Sequence, residues 1–364
     1  MRSKNRTLRR ARRTTPVMAL AAVLLLPLFA LPVSLAAMGR PEAPAPDIDE
    51  RRGETDELVI YSYGSLPGTL RRAIQSHFEE QYGVEVDLQR IGETGAVYTQ
   101  LYLERNNPQA DVVIGLDATY LPRIEADNLL EPYRPAGLEH VDSDLLIDPQ
   151  FRAIPFDYGH ITLNYDSRAL SNPPASWDEL LEPRFENGII MLHPGTSSPG
   201  RNFLLYTIAV FGEDGYLDYW RALRPNILTV TAGWSDGYGL YTQGEAPMVV
   251  SYETSPAYHR EFEETDRYDV LLFDDAAYLQ IELAGIVRGA RNRLNAERLM
   301  DYLLSEEFQQ LIPLSQFMYP VHGGVELPQA FLDGPRAADS VSLDADLIAE
   351  RFQDWLADWE EVMR

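Results

Sequence analysis

Read for its apolar positions, the chain alternates short hydrophobic runs with amphipathic stretches. The run "LVIYSY" (58–63) is continuous and of strand type. In "LPGTLRRAIQSHFEEQYG" (66–83), Leu70, Ile74 and Phe78 recur at helical spacing and Gly83 supplies a stop. A strand over 84–91, a helix over 95–104 and a buried strand "ADVVIGLD" (110–117) follow. This βαβαβ order predicts a parallel sheet with helices on both faces.

The long strand-like segment "FRAIPFDYGHITLNYD" (151–166) suits a passage between two lobes. A second α/β unit then reads as a helix near "SWDELL", a strand "GIIMLH", a helix after "GTSSPG" and a helix near "DGYLDYWRAL". A strand "ILTVT", a helix or turn "WSDGYGLYTQGE" and a strand "MVVSY" complete it. "YLQIELAGIV" (278–287) reads as the return passage, and amphipathic helices over 295–313 and 344–363 close the chain. The expected division is residues 57–160 for a first lobe, 161–275 for a second, and 276–364 returning to the first.

The N-terminus stands apart from this pattern. A basic stretch, an apolar run broken by Pro27 and Pro32, and small residues Ser34, Ala36 and Ala37 read as a signal peptide over 1–37, cleaved near Ala36 or Ala37. The alternative is an uncleaved anchor, since the run is nearly long enough to span a bilayer. Either way the body is expected in the periplasm or otherwise outside the cytoplasmic membrane. Residues 38–56, rich in proline and charge, read as a flexible linker.

Composition narrows the function classes. The 364 residues contain no cysteine, which removes disulfides, thiolate metal sites and cysteine nucleophiles. The net charge is −25; residues 1–37 hold seven basic and no acidic residues, so the remainder stands at −32. A field of that sign repels nucleic acid and anionic membranes. The six histidines form no HxxxH or HxH pair, and there is no GxSxG elbow, GxGxxG or Walker loop. No metal, cofactor or catalytic residue is expected.

The ends of the parallel strands carry the candidate chemistry. "HPGTSSPGRNF" sets Ser197 and Ser198 between a strand and a helix, where they could hold an anion or simply cap the helix. "GWSDGYGLY" offers Trp234, Tyr238 and Tyr241 among glycines. Aromatic faces can stack on a heteroaromatic or cationic ligand, at about 0.5 to 2 kcal/mol per contact, or pack in a core. "VVSYETSPAYH" (249–259) runs a core strand into Tyr252, Glu253, Thr254 and Ser255 before Pro256 stops it.

In order along the body, "YSYGS", "ADVVIGLD", "PFDYGHITLNYD", "NPPASWDEL", "GTSSPG", "TVTAGWSDGYGLYTQGE", "VVSYETSPAYH", "YLQIE" and "FMYPV" resemble thiamine-binding periplasmic proteins. The resemblance implies an α/β, two-lobed type II periplasmic binding fold that closes over its ligand in an interlobe cleft. It implies a monomer that delivers thiamine or its phosphates to an ABC permease with an ATPase subunit, without chemistry.

Carried over by position, Tyr63 matches a pocket tyrosine, and Thr94 and Gly95 match a turn after the second strand. Ser197 and Ser198 match a loop facing the hydroxyethyl or phosphate end, and Trp234 matches a ring-stacking tryptophan. Tyr252, Glu253, Thr254 and Ser255 match a strand-end segment, with Tyr258 a further wall. The chain departs from the pattern at Thr94, where an acid is expected and Glu93 is adjacent. It departs again at Phe317 in place of tryptophan, at Glu253 in place of a neutral residue, and in a loop after Tyr63 that lacks a tryptophan. A thiazolium cation suits Glu93 and Glu253 beside Trp234 and Tyr252. The same fold binding ferric ion or another small cationic metabolite, and an exported hydrolase using Ser197 or Ser255, remain as alternatives.

Overall fold

The computed structural model describes residues 56–364, so the signal peptide and most of the linker lie outside the described residues. The chain opens with β1 (Glu57–Tyr63), α1 (Gly68–Tyr82), β2 (Glu85–Gly92), α2 (Thr94–Glu104) and β3 (Val112–Asp117). Next come α3 (Leu121–Ala126), β4 (Leu130–Glu131) and β5 (Ile154–Asp166). They lead to β6 (Ile189–Leu192), α4 (Ser198–Leu223), β7 (Ile227–Thr231), α5 (Trp234–Thr242) and β8 (Met248–Tyr252). Then follow α6 (Pro256–Glu263), β9 (Tyr268–Leu271), β10 (Ala276–Val287) and α7 (Arg293–Leu303). The chain ends with α8 (Glu306–Gln309), α9 (Ile312–Gln316), β11 (Tyr319–Pro320), α10 (Gln329–Leu332), β12 (Asp339–Val341) and α11 (Ala345–Met363).

The main path of the sheet runs β2-β1-β3-β10-β5-β8-β6-β7. β1 is parallel to β2 and β3, and β6 is parallel to β7 and β8. Between these parallel triads lie β10 and β5, antiparallel to each other and to their outer neighbours. Each is long enough to serve both sides. Phe156 of β5 belongs to one apolar core and Ile161 to another; on β10, Ile281 belongs to the first and Tyr278 to the second.

Local sequence accounts for most of the elements. In α1 the residues Leu70, Ile74 and Phe78 are fully buried, and Gly83 takes a left-handed φ of 63° to end the helix. β3 is buried along its whole length, as its unbroken apolar run requires. Two details differ from the sequence reading. "SWDELL" forms only a 3-10 turn at Glu179–Leu181. The two helices expected after Gly195 are nearly continuous, broken where Gly212 adopts φ 73° and ψ 168°.

The last helix touches both sides of the molecule. Ile348, Phe352, Trp355 and Trp359, one stripe at helical spacing, are buried in the second core with α4, and the same helix also packs against α3 and the turn Ala118–Tyr120 beside the first core. The stripe matches the ring-rich surface around Trp220: the Trp220 and Trp359 rings meet edge to face at 5.6 Å.

Candidate functional site

A cavity of about 350 Å³ opens where loops from the two parallel triads meet the crossing strands. Tyr63 and Ser65 reach it from the end of β1, Glu93 and Thr94 from the head of α2, and Ser198 and Pro199 from the head of α4. Trp234 and Tyr238 come from α5, Tyr252 and Ser255 from the end of β8, and Tyr258 from α6. Glu282 comes from the middle of β10, and Ser315 through Met318 from the end of α9. These are strand ends and helix heads, where side chains are free of the sheet ladder.

The aromatic wall is held by hydrogen bonds behind it. Trp234 stacks on Tyr238, with centroids 4.9 Å apart and planes 18° apart, and its indole N–H donates to Ser251 Oγ at 2.9 Å. Tyr238 thus covers part of one indole face, and the half-buried ring keeps surface toward the cavity. The Tyr238 hydroxyl and His259 Nε2 lie 2.9 Å apart. Tyr258 and Phe317 meet edge to face at 5.2 Å. The Tyr63 ring lies on bare backbone: a Cβ on Gly115, whose φ is +89°, would fall 1.5 Å from its Cδ1. Only glycine fits there.

The floor is acidic. Glu282 pairs in register with Asp117 on β3 and with Asp157 on β5, so three carboxylates form one row across adjacent strands. All three are buried. Asp117 is satisfied by the Thr119 amide at 2.8 Å and by Asn202 Nδ2 at 2.6 Å. Both oxygens of Asp157 and Oε2 of Glu282 have no hydrogen-bond partner among the described residues. Burial pushes the Glu282 carboxyl up to about 7, against the restraining hydroxyls of Tyr63 and Tyr252. Burial and the neighbouring Glu282 charge push Asp157 well above the usual carboxylate range. Desolvated negative charge without a partner is the condition a cationic group would relieve.

Two contacts join the β1-β2-β3 triad to the other across the cavity. Ser198 Oγ donates to Thr94 Oγ1 at 2.9 Å, and Thr94 in turn donates to the Gly115 carbonyl at 3.1 Å. Glu93 lies against Gly233, where a Cβ would sit 2.4 Å from Glu93 Oε1. Burial raises the Glu93 carboxyl, with a contribution from Asp236.

Of the residues expected from the sequence, Tyr63, Glu93, Thr94, Ser198, Trp234, Tyr252, Ser255, Tyr258 and Phe317 lie on the cavity wall. Gly95, Ser197, Glu253 and Thr254 do not. Gly95 faces the Tyr120 hydroxyl and the Gly195 carbonyl. Ser197 is the buried residue preceding α4, and its hydroxyl makes no capping bond. Thr254 donates to the Phe317 carbonyl at 2.5 Å and so supports the wall from behind.

Glu253 is the main correction to the expected cation partner. Its Oε1 lies 2.8 Å from His160 Nδ1, and its Oε2 accepts from the Ala337 amide at 2.9 Å. Consecutive residues at a strand end point to opposite faces, so Tyr252 facing the cavity turns Glu253 away. Sequence reasoning missed Glu282, Asp157 and Gln316. The signal for the first two was an acid within a long, largely buried crossing strand. Among the described residues, no group of three or more His, Asp or Glu could hold a metal ion. No helix among the described residues is long and apolar enough to cross a membrane.

The comparisons with known proteins agree with this geometry. Residues 107–350 match the family model for bacterial extracellular solute-binding proteins. The chain is 35% identical over 314 residues to the thiamine-binding periplasmic protein of Brucella abortus biovar 1 (strain 9-941), covering 84% of this chain and 91% of that one. It is 33% identical over 318 residues to the thiamine-binding periplasmic protein of Escherichia coli (strain K12), covering 84% and 93%. A solved periplasmic thiamin binding protein superposes with TM-score 0.78 at 31% identity, over 85% of this chain and 96% of that one. The mixed α/β fold is therefore that of type II periplasmic binding proteins, extracytoplasmic carriers that hold a small solute for an ABC transporter. The chain belongs to the family of bacterial extracellular solute-binding proteins that includes the thiamine-binding periplasmic proteins.

Proposed function

We propose that the cavity captures thiamine and presents it, as a monomer, to the permease of an ABC importer driven by its ATPase subunit. The observation that carries this reading is Glu282, which lines a cavity walled by aromatic rings with an unpartnered carboxylate oxygen and stands beside the buried Asp157. Thiamine joins a flat aminopyrimidine to a thiazolium ring with a fixed positive charge. The ring faces suit Trp234, Tyr252 and Tyr258, and the charge suits Glu282 and Glu93. The similar thiamine-binding periplasmic proteins support the same ligand.

The two apolar cores serve as two lobes, with β5 and β10 as the crossing strands between them. In this reading residues 57–160 and the first part of the return segment form one lobe. Residues 161–275 form the other, and α11 bridges the two, its apolar stripe in the second core and its flank against α3. The Ser198–Thr94 and Glu93–Gly233 contacts already join the lobes, so admitting a ligand would part Trp234 and Ser198 of one from Tyr63 and Glu93 of the other. Mass spectrometry of the small molecule released from natively purified protein tests the assignment. Thiamine is the expected species; a different organic solute or iron contradicts it.

A further inference from the structure

A second cavity, of about 530 Å³, opens at the opposite end of the first lobe's sheet from the cavity described above. Pro108 precedes β3 and Arg288 follows β10, and the two strands are antiparallel, with Ile286 opposite Val112. This is the end from which β1 and β3 start, whereas Tyr63 closes β1 at the other. Arg105, Arg288 and Arg291 line the cavity with Asn106 and Asn107, and no carboxylate does. In a chain of net charge −25, three guanidinium groups around one hollow locally reverse the field.

The three arginines are held in place by neutral acceptors. Arg288 donates from Nε to the Asn128 carbonyl at 2.9 Å and from Nη2 to the Leu130 carbonyl at 3.2 Å. Arg291 Nη2 donates to Gln109 Oε1 at 3.3 Å. Arg105 Nη1 donates to the Tyr102 carbonyl at 2.6 Å, and its guanidinium lies 4.0 Å from the Tyr102 ring centroid. None of the three forms an ion pair among the described residues, because the acids on the flanking elements are committed elsewhere. Glu131 accepts from the Gly289 amide at 3.0 Å and from Arg293 at 2.8 Å. Asp111 accepts from the amides of Val59 at 3.0 Å and Asn292 at 2.8 Å, and Glu104 from the Tyr61 hydroxyl at 3.1 Å.

Planar guanidinium forks match the oxygen edges of a phosphate, and three of them exceed what a two-oxygen carboxylate can occupy. We propose that this cavity is a second site, which binds a phosphate-bearing anion through Arg105, Arg288 and Arg291. Its volume leaves room for an organic group on the phosphate, whether that of a soluble phosphomonoester or of a lipid headgroup. The inference does not depend on which solute the first cavity takes.

Calorimetric titration of the exported protein with inorganic phosphate at low ionic strength tests it, with acetate at equal ionic strength as the comparison. Phosphate should bind saturably, with a dissociation constant of about 1 mM or below, and acetate at least about tenfold more weakly. Arg291→Gln and Arg105→Gln, both at exposed positions, should fold as the parent does and each weaken phosphate about tenfold. Arg224→Gln, an equal change of charge at an exposed position elsewhere, should leave phosphate binding unaltered. Flotation with phosphatidylglycerol vesicles, competed by free phosphate, separates the sources. Retention assigns a lipid headgroup, and its absence beside phosphate binding assigns a soluble ligand. No saturable binding of either phosphate or vesicles, equal binding of acetate, or equal losses in Arg224→Gln and Arg291→Gln overturns the inference.

Discussion

Glu282 and Asp157 stand opposite each other on antiparallel strands β10 and β5, both buried, and three of their four carboxylate oxygens lack a hydrogen-bond partner among the described residues. Two acids held in this way are destabilising unless a proton or a cation sits between them. The free receptor therefore carries a local cost that ligand binding removes.

Glu282→Gln replaces a carboxyl that ionises at about pH 7 with a neutral group of the same shape. At about pH 8, where the carboxyl is ionised, the ligand-free variant should gain about 1 kcal/mol in urea unfolding over the parent. Thiamine affinity should fall by about tenfold to a hundredfold, corresponding to loss of a charge-assisted contact of about 1.5–3 kcal/mol. A variant that is less stable and binds equally well would speak against the assignment.

The pH dependence has a definite sign. The folded state holds a proton on Glu282 up to about pH 7, whereas the unfolded chain releases it near its ordinary value. This contribution to stability is fully present below the ordinary glutamate range and is lost as pH rises through about 7. Asp157 and Asp117 are raised as well and act in the same direction; the facing hydroxyls of Tyr63 and Tyr252 stay protonated. The urea midpoint of the ligand-free protein should decline between about pH 5 and pH 8, and decline less in Glu282→Gln. Thiamine affinity should run the other way, rising with pH over the same interval.

Trp234 should report binding alone. The chain has five tryptophans, and Trp177, Trp220, Trp355 and Trp359 are buried in the second core away from the cavity lining. Thiamine should therefore change the fluorescence of the parent and leave that of Trp234→Phe nearly unchanged. Trp234→Ala should cost about 1–2 kcal/mol of binding, from lost stacking and cation–π contact.

Glu253→Gln should separate structure from binding. The side chain is buried against His160 and the Ala337 amide and does not line the cavity. Its thiamine affinity should stay within about twofold of the parent, while unfolding in urea should occur about 1–3 kcal/mol earlier. A large loss of affinity with stability unchanged would place Glu253 back in the site.

Much of this architecture is legible in the sequence because it depends on local pattern. The apolar runs of β1 and β3, the Leu70–Ile74–Phe78 stripe and the Gly83 stop are each written within one element. Tyr63, Trp234 and Tyr252 stand at strand ends or helix heads, where a ligand rule can find them. The acidic floor is not legible that way, because Asp117, Asp157 and Glu282 become neighbours only through strand pairing across long sequence separations. Glu253 misleads for a related reason. It adjoins Tyr252 in sequence, but the alternation of an extended chain sends the two side chains to opposite faces. The C-terminal helix shows the same limit: its apolar stripe is plain, but the core that receives it is not encoded in the stripe.

The most direct test of the acidic floor is calorimetric titration of thiamine into the exported protein at about pH 7, in two buffers of different ionisation enthalpy. Thiamine binding should be one-to-one, with a heat that differs between the buffers because roughly half a proton leaves Glu282 as the cation arrives. Absence of binding heat, or a binding heat identical in the two buffers, would contradict the account.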